Sequence, residues 1–101
     1  MNCFRVYPGE TRKHMDLKYE IWFRLIKKGF EVYTEVIFLD GKRADIVGIS
    51  PQGNGFGIEC IASETLKECE LKLKSYPNTI QWFIAKDLDD INQIYEEIEN
   101  S

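Results

Sequence analysis

Two turn signals fix the middle of this chain. Residues 30–39 (FEVYTEVIFL), 42–49 (KRADIVGI) and 55–61 (GFGIECI) are rich in β-branched and aromatic side chains and read as strands. Asp40-Gly41 separates the first two, a strong signal for a two-residue hairpin loop. Ser50-Pro51-Gln52-Gly53-Asn54 separates the second from the third. Pro51 suits the first turn position and Gly53 a left-handed third, which is the sequence of a three-residue loop with a glycine bulge. Connections this short allow only an antiparallel meander.

Helical periodicity flanks the meander. Over 12–28, Met15, Tyr19, Trp22 and Ile26 recur at helical spacing, and Ile21, Phe23 and Leu25 widen the apolar face. Asp16, Glu20, Arg24 and Lys27 lie opposite, and Gly29 ends the helix. A second helix, about 64–76, has capping-box spacing at Thr65 and Glu68 and an inward stripe of Leu66, Cys69, Leu73 and Tyr76. Pro77-Asn78 ends it, and residues 79–85 (TIQWFIA) form a fourth strand. The last helix follows Asp87, with Leu88, Ile91, Ile94, Tyr95 and Ile98 on its face and Asp87, Asp89 and Asp90 at its positive N-terminal end. The expected architecture is αβββαβα, one small mixed sheet flanked by helices, in a single domain spanning residues 1–101.

Composition excludes several classes. At 44% hydrophobic and 13% aromatic the chain has material for a core, which rules out a disordered tail. No apolar run approaches the roughly 18 residues of a membrane-spanning helix. The N-terminus lacks the apolar stretch of a secretion signal, which makes the cytoplasm the expected compartment. Three cysteines, no Cys-x-x-Cys pair and one histidine argue for buried reduced thiols over a zinc site.

Net charge is −4, which at first sight speaks against nucleic acid. Its distribution weakens that objection. Residues 1–28 carry seven basic and three acidic side chains, and residues 87–101 carry six acids and no base. The first 86 residues hold 13 bases and 11 acids, a slight positive surplus.

The hairpins place the acids. A two-residue loop at Asp40-Gly41 sets Val36 opposite Asp45 and turns Glu35 to the other face. A three-residue loop at Pro51-Gln52-Gly53 sets Asp45 opposite Glu59 and Arg43 opposite Ile61. A four-residue loop would instead set Asp45 against Cys60. In the preferred register two carboxylates project side by side, about 5 Å apart at the β-carbon, and repel. A divalent cation with oxygen ligands relieves that conflict.

Helix, three strands with Asp on the second and Glu on the third, helix, strand: in this the chain resembles the PD-(D/E)XK nuclease superfamily, the restriction-endonuclease-like fold. The carrying residues are Ala44-Asp45-Ile46-Val47 and Gly57-Ile58-Glu59-Cys60-Ile61, within a span from Arg12 to Ala85. The resemblance implies metal-dependent hydrolysis of DNA phosphodiesters. Asp45 and Glu59 would hold Mg²⁺ or Mn²⁺ with the backbone carbonyl at position 60. Glu20 would match the extra acid of Holliday-junction-resolvase-like members, with Glu35 as another candidate. Many relatives act as homodimers, so a second copy is an expected partner beside DNA.

One departure stands out. The family places a lysine two residues after the glutamate, where this chain has Ile61. Arg43, opposite Ile61, would replace its charge but not act as a base. Lys67, one turn into the next helix, would reach in from the side. Failing both, the fold would be a degenerate nuclease kept as a nucleic-acid-binding or protein-interaction module.

The remaining candidates have plainer expectations. Glu20 would pair with Arg24 on a solvated face. His14 would serve at the surface or as a cap, and Lys72 and Lys74 would form a solvated helix face within reach of phosphate. Trp22 and Trp82 would belong to the core, and Arg12, Lys13, Lys18, Lys27 and Lys28 would form a basic helix surface. No phosphate-binding Gly-x-x-x-x-Gly-Lys-Ser/Thr loop is present. Gly53, Gly55 and Gly57 precede a strand, which excludes a dinucleotide fingerprint.

Overall fold

The computed structural model describes residues 2–61 and 64–100. Within them the chain runs α1 (Arg12–Lys27), β1 (Glu31–Ile37), β2 (Arg43–Ile49), β3 (Gly55–Cys60), α2 (Leu66–Leu73), β4 (Gln81–Ala85) and α3 (Asp90–Glu99). The expected element order stands. The strands form one mixed sheet in the order β1-β2-β3-β4, antiparallel except for the parallel β3–β4 pair.

Both hairpins use three-residue loops. Gly53 (φ +90°) donates to Ser50, and Ser50 N–H donates to Asn54 across the loop. The β2–β3 register is therefore the expected one, with Ile46 opposite Ile58. The first hairpin differs from expectation. Phe38 N–H donates to the Lys42 carbonyl at 2.8 Å, which makes Leu39-Asp40-Gly41 the loop, with Gly41 (φ +88°) in the left-handed place. Val36 thus faces Ala44 and Ile37 faces Arg43. A one-residue slip exchanges the two faces of a strand. Glu35 consequently lies level with Asp45, on its side of the sheet, rather than facing away. It also has φ +52°, uncommon for a residue with a β-carbon, and it interrupts the ladder between Thr34 and Val36.

α1 and α3 cover one face. Ile21 and Leu25 from α1 and Ile91, Ile94 and Ile98 from α3 pack on Val32, Ile46, Phe56, Ile58, Cys60, Phe83 and Ala85. The buried stripe of α1 is Lys18, Ile21 and Leu25, while Tyr19 and Phe23, expected inside, are exposed. Lys18, expected on a basic surface, is fully buried. Across the sheet, the Trp82 ring lies flat on Gly57. A β-carbon there would come within 2.2 Å of the ring, so position 57 has room for glycine alone. Tyr76, just past α2, packs edge-on against Trp82 (4.8 Å) and Phe38 (5.7 Å).

α2 begins at Thr65, whose hydroxyl accepts from Glu68 N–H as the capping spacing requires. Cys60 and Cys69 are buried free thiols and Cys3 is half-buried. No helix among the described residues is long and apolar enough to cross a membrane.

Candidate functional site

Polar side chains gather at the end of the sheet where β1 and β3 finish and β2 begins. β2 carries Asp45 and β3 carries Glu59. Asp45 Oδ2 accepts from Cys60 N–H at 2.8 Å, so the strand after Glu59 anchors the neighbouring acid. Glu59 is fully buried, and neither of its oxygens has a hydrogen-bond partner. Its nearest cation is Lys72 Nζ on α2, at 3.6 Å.

An unpartnered buried carboxyl is expensive in its ionised form. Burial, reinforced by the negative charge of Asp45, pushes the Glu59 carboxyl up to about 8. Asp45 is shifted the other way. Against its own burial, the contacts with His14 and with the Glu59 carboxyl, and the Cys60 N–H, hold it below the usual carboxylate range. Neighbouring acids are driven apart in this way both at functional sites and in structural ion-pair networks.

The N-terminal segment completes the site. Tyr7-Pro8-Gly9-Glu10 forms a turn closed by Glu10 N–H to Tyr7 C=O (3.0 Å), and it drops the Glu10 carboxylate inward. His14, one turn into α1, bridges Glu10 (Nδ1 to Oε2, 2.5 Å) and Asp45 (Nε2 to Oδ2, 3.2 Å). The Asp45 contact, helped by Glu10, raises the imidazole to about 9 despite burial, so it is protonated at neutral pH. Lys18 Nζ donates to Glu10 (2.8 Å) and to Glu35 (3.1 Å). Arg43 Nε meets the other Glu35 oxygen at 3.1 Å, and its guanidinium lies over the Tyr7 ring at 3.6 Å. Asp45, His14, Glu10, Lys18, Glu35 and Arg43 thus alternate in sign along one continuous network.

The network forms a wall of a cleft of about 500 Å³, lined by Tyr7, Glu10, His14, Glu35, Ile37, Gly41, Lys42, Arg43, Asp45, Lys72, Ser75 and Tyr76. His14, Lys42, Arg43 and Lys72 supply four cationic groups around it. Among the described residues, none of the acids of 87–99 lines it.

Of the residues expected in the site, Asp45, Glu59 and Arg43 come together, although Arg43 is neutralised by Glu35 rather than beside Glu59. Glu35, expected to face away, joins them. Glu20 lies elsewhere, half-exposed and 3.9 Å from Arg24, as its plainer reading had it. Lys67 is exposed at the start of α2, and Lys72, one and a half turns on, is the lysine that reaches Glu59. His14 is not a surface or capping residue but the bridge between two carboxylates. Glu10 was signalled only by the four-residue spacing of Glu10, His14 and Lys18, a polar stripe continuing into the buried face of α1.

Among the described residues, no group of three or more His, Cys, Asp or Glu side chains is arranged to hold a metal ion. The Asp45–Glu59 pair nevertheless suits one class. Mg²⁺ typically takes one or two carboxylates and completes its shell with waters and substrate phosphates. The Glu59 oxygens, which have no hydrogen-bond partner within ordinary distance, would be the donors for such an ion. Compared with protein-family models, curated proteins and solved structures, the chain matches none of them.

Proposed function

We propose that this chain is a divergent PD-(D/E)XK-type nuclease that hydrolyses phosphodiester bonds of DNA with Mg²⁺ or Mn²⁺. The observation that carries the reading is Glu59: a fully buried carboxyl beside Asp45, with both oxygens unpartnered and Lys72 at 3.6 Å. A structural sheet has no use for this pair, since it leaves a buried acid unsatisfied. A cation and a phosphate would satisfy it.

In this reading Asp45 and Glu59 hold the ion. When bound, it would lower the pKa of a coordinated water and offset charge on the phosphate. The chain's own groups do the rest. Cys60 N–H and His14 both hold Asp45 Oδ2, which fixes the carboxylate's orientation. Lys72 takes the role of the motif lysine replaced by Ile61, neutralising Glu59 and meeting the phosphate from the side. Lys42 and Arg43 on the opposite rim attract and orient the backbone of the substrate strand. Protonated His14 keeps the imidazole charge beside Asp45 and Glu10, away from any role as a base.

The test is cleavage of plasmid and branched DNA with Mg²⁺ or Mn²⁺. Wild type is expected to cut, E59Q and D45N to lose activity, and K72M to lose about 100-fold, the scale of removing one preorganised charge. K67M is expected to match wild type. Cleavage that survives E59Q contradicts the mechanism. DNA binding without metal and without cleavage would favour the degenerate fold kept as a binding module.

A further inference from the structure

The loop of the first hairpin stands on the rim of the cleft, and its first residue is out of place in water. Leu39 is fully exposed, and Ile37 two residues earlier is 65% exposed. Phe38 N–H to Lys42 C=O (2.8 Å), Gly41 N–H to Phe38 C=O (2.9 Å) and Lys42 N–H to Asp40 Oδ1 (3.0 Å) close the loop, and Leu39 takes part in none of these bonds. Below it, the Phe38 ring packs edge-on against Tyr76 and Trp82, and Lys42 Nζ donates to the Ser75 carbonyl at 3.2 Å. A stiff, anchored turn thus presents one large apolar side chain to solvent. The next residues, Gly41, Lys42 and Arg43, line the cleft itself.

We infer that Leu39 is a wedge that enters the base stack of the nucleic acid beside the phosphate held in the cleft. The inference rests on the nuclease reading and adds the substrate class: DNA whose stacking is broken or easily broken at the cleaved step, as at a mismatch, a branch or a strand end. Apolar side chains inserted between base steps unstack them and kink the duplex, and a rigid support lowers the cost of insertion. The charges agree with this occupant. Lys42 follows the wedge and lines the cleft together with Lys72, so cations stand beside an opened step.

The test uses the whole chain and a DNA duplex carrying 2-aminopurine beside a mismatch, in chelator so that no strand is cut. Wild type is expected to raise the fluorescence about twofold or more as the base unstacks, L39F to keep the rise and L39A to lose it. With Mg²⁺, L39A is expected to cut a fully paired duplex about tenfold more slowly, yet stay within about twofold of wild type on a pre-opened bubble. No fluorescence rise with wild type, or an equal rise with L39A, overturns the wedge. A rise that depends on Leu39 without any cleavage upholds the wedge and overturns the nuclease reading, so the two failures are distinguishable.

Discussion

Glu59 is the residue at which the chain gives up stability. Its carboxyl stays protonated to about 8 when folded, against an ordinary 4.5, because burial and Asp45 both oppose its charge. Between those values the unfolded chain loses the proton and the folded chain keeps it, so the carboxyl makes folding progressively less favourable as pH rises. His14 acts in the same direction. Raised from 6.5 to about 9, it contributes stability that is complete below 6.5 and lost as pH rises through 9. Glu10 and Asp45, both lowered, contribute stability that is lost as pH falls through their folded values. Urea unfolding in chelator is therefore expected to show greatest stability near pH 5–6 and a steady decline towards pH 9. E59Q removes the cost of the buried acid and is expected to gain roughly 1–3 kcal/mol at pH 8, flattening that decline. An E59Q chain less stable than wild type at pH 8 would mean the carboxyl is a satisfied structural group.

At the scale of elements, α1 is a polar strut as much as a core helix. Lys18 is fully buried between Glu10 and Glu35 and holds the N-terminal turn, α1 and β1 to one another. K18M leaves Glu10 with the cation His14 alone and Glu35 with the cation Arg43 alone, and is expected to cost roughly 1–3 kcal/mol, read by urea unfolding. Here sequence reasoning reached its limit for a physical reason. The periodicity of α1 fitted a stripe through Tyr19 and Phe23, because apolar residues normally mark the buried face. The face is set instead by what the strands offer, and β1 offers Glu35 to a lysine. The hairpins show the same contrast. Gly53 at the third loop position made the β2–β3 register legible, and with it the Asp45–Glu59 pair. Asp40-Gly41 suited a two-residue loop equally well, and the one-residue difference moved Glu35 from one face to the other. Glu10 and His14 carried no spacing to Asp45 that a sequence could reveal, since the fold joins His14 to Asp45 across a sequence separation of 31.

At the scale of the molecule, the charge of the chain is divided by the fold. Residues 87–99 supply six acids in and just before α3 and line no part of the cleft, which collects Lys42, Arg43, Lys72 and His14 beside Glu10, Glu35 and Asp45. Net charge of −4 is thus compatible with a nucleic-acid surface, but a small one. With His14 and Arg43 held by carboxylates, Lys42 and Lys72 are left to face the phosphates, and the logarithm of DNA affinity is expected to fall with the logarithm of salt at a slope of about −2. A slope near zero would remove the cleft from the interface, and a slope beyond about −6 would require a second copy of the chain on the DNA. The central claim is that Asp45 and Glu59 together hold one divalent cation. Titration of the chain with Mn²⁺, followed by the loss of the free-ion electron paramagnetic resonance signal, measures it directly. The account predicts one saturable site per chain, lost in E59Q and in D45N and retained in E20Q. No saturable site in the wild-type chain, or a site that E59Q leaves intact, would contradict it.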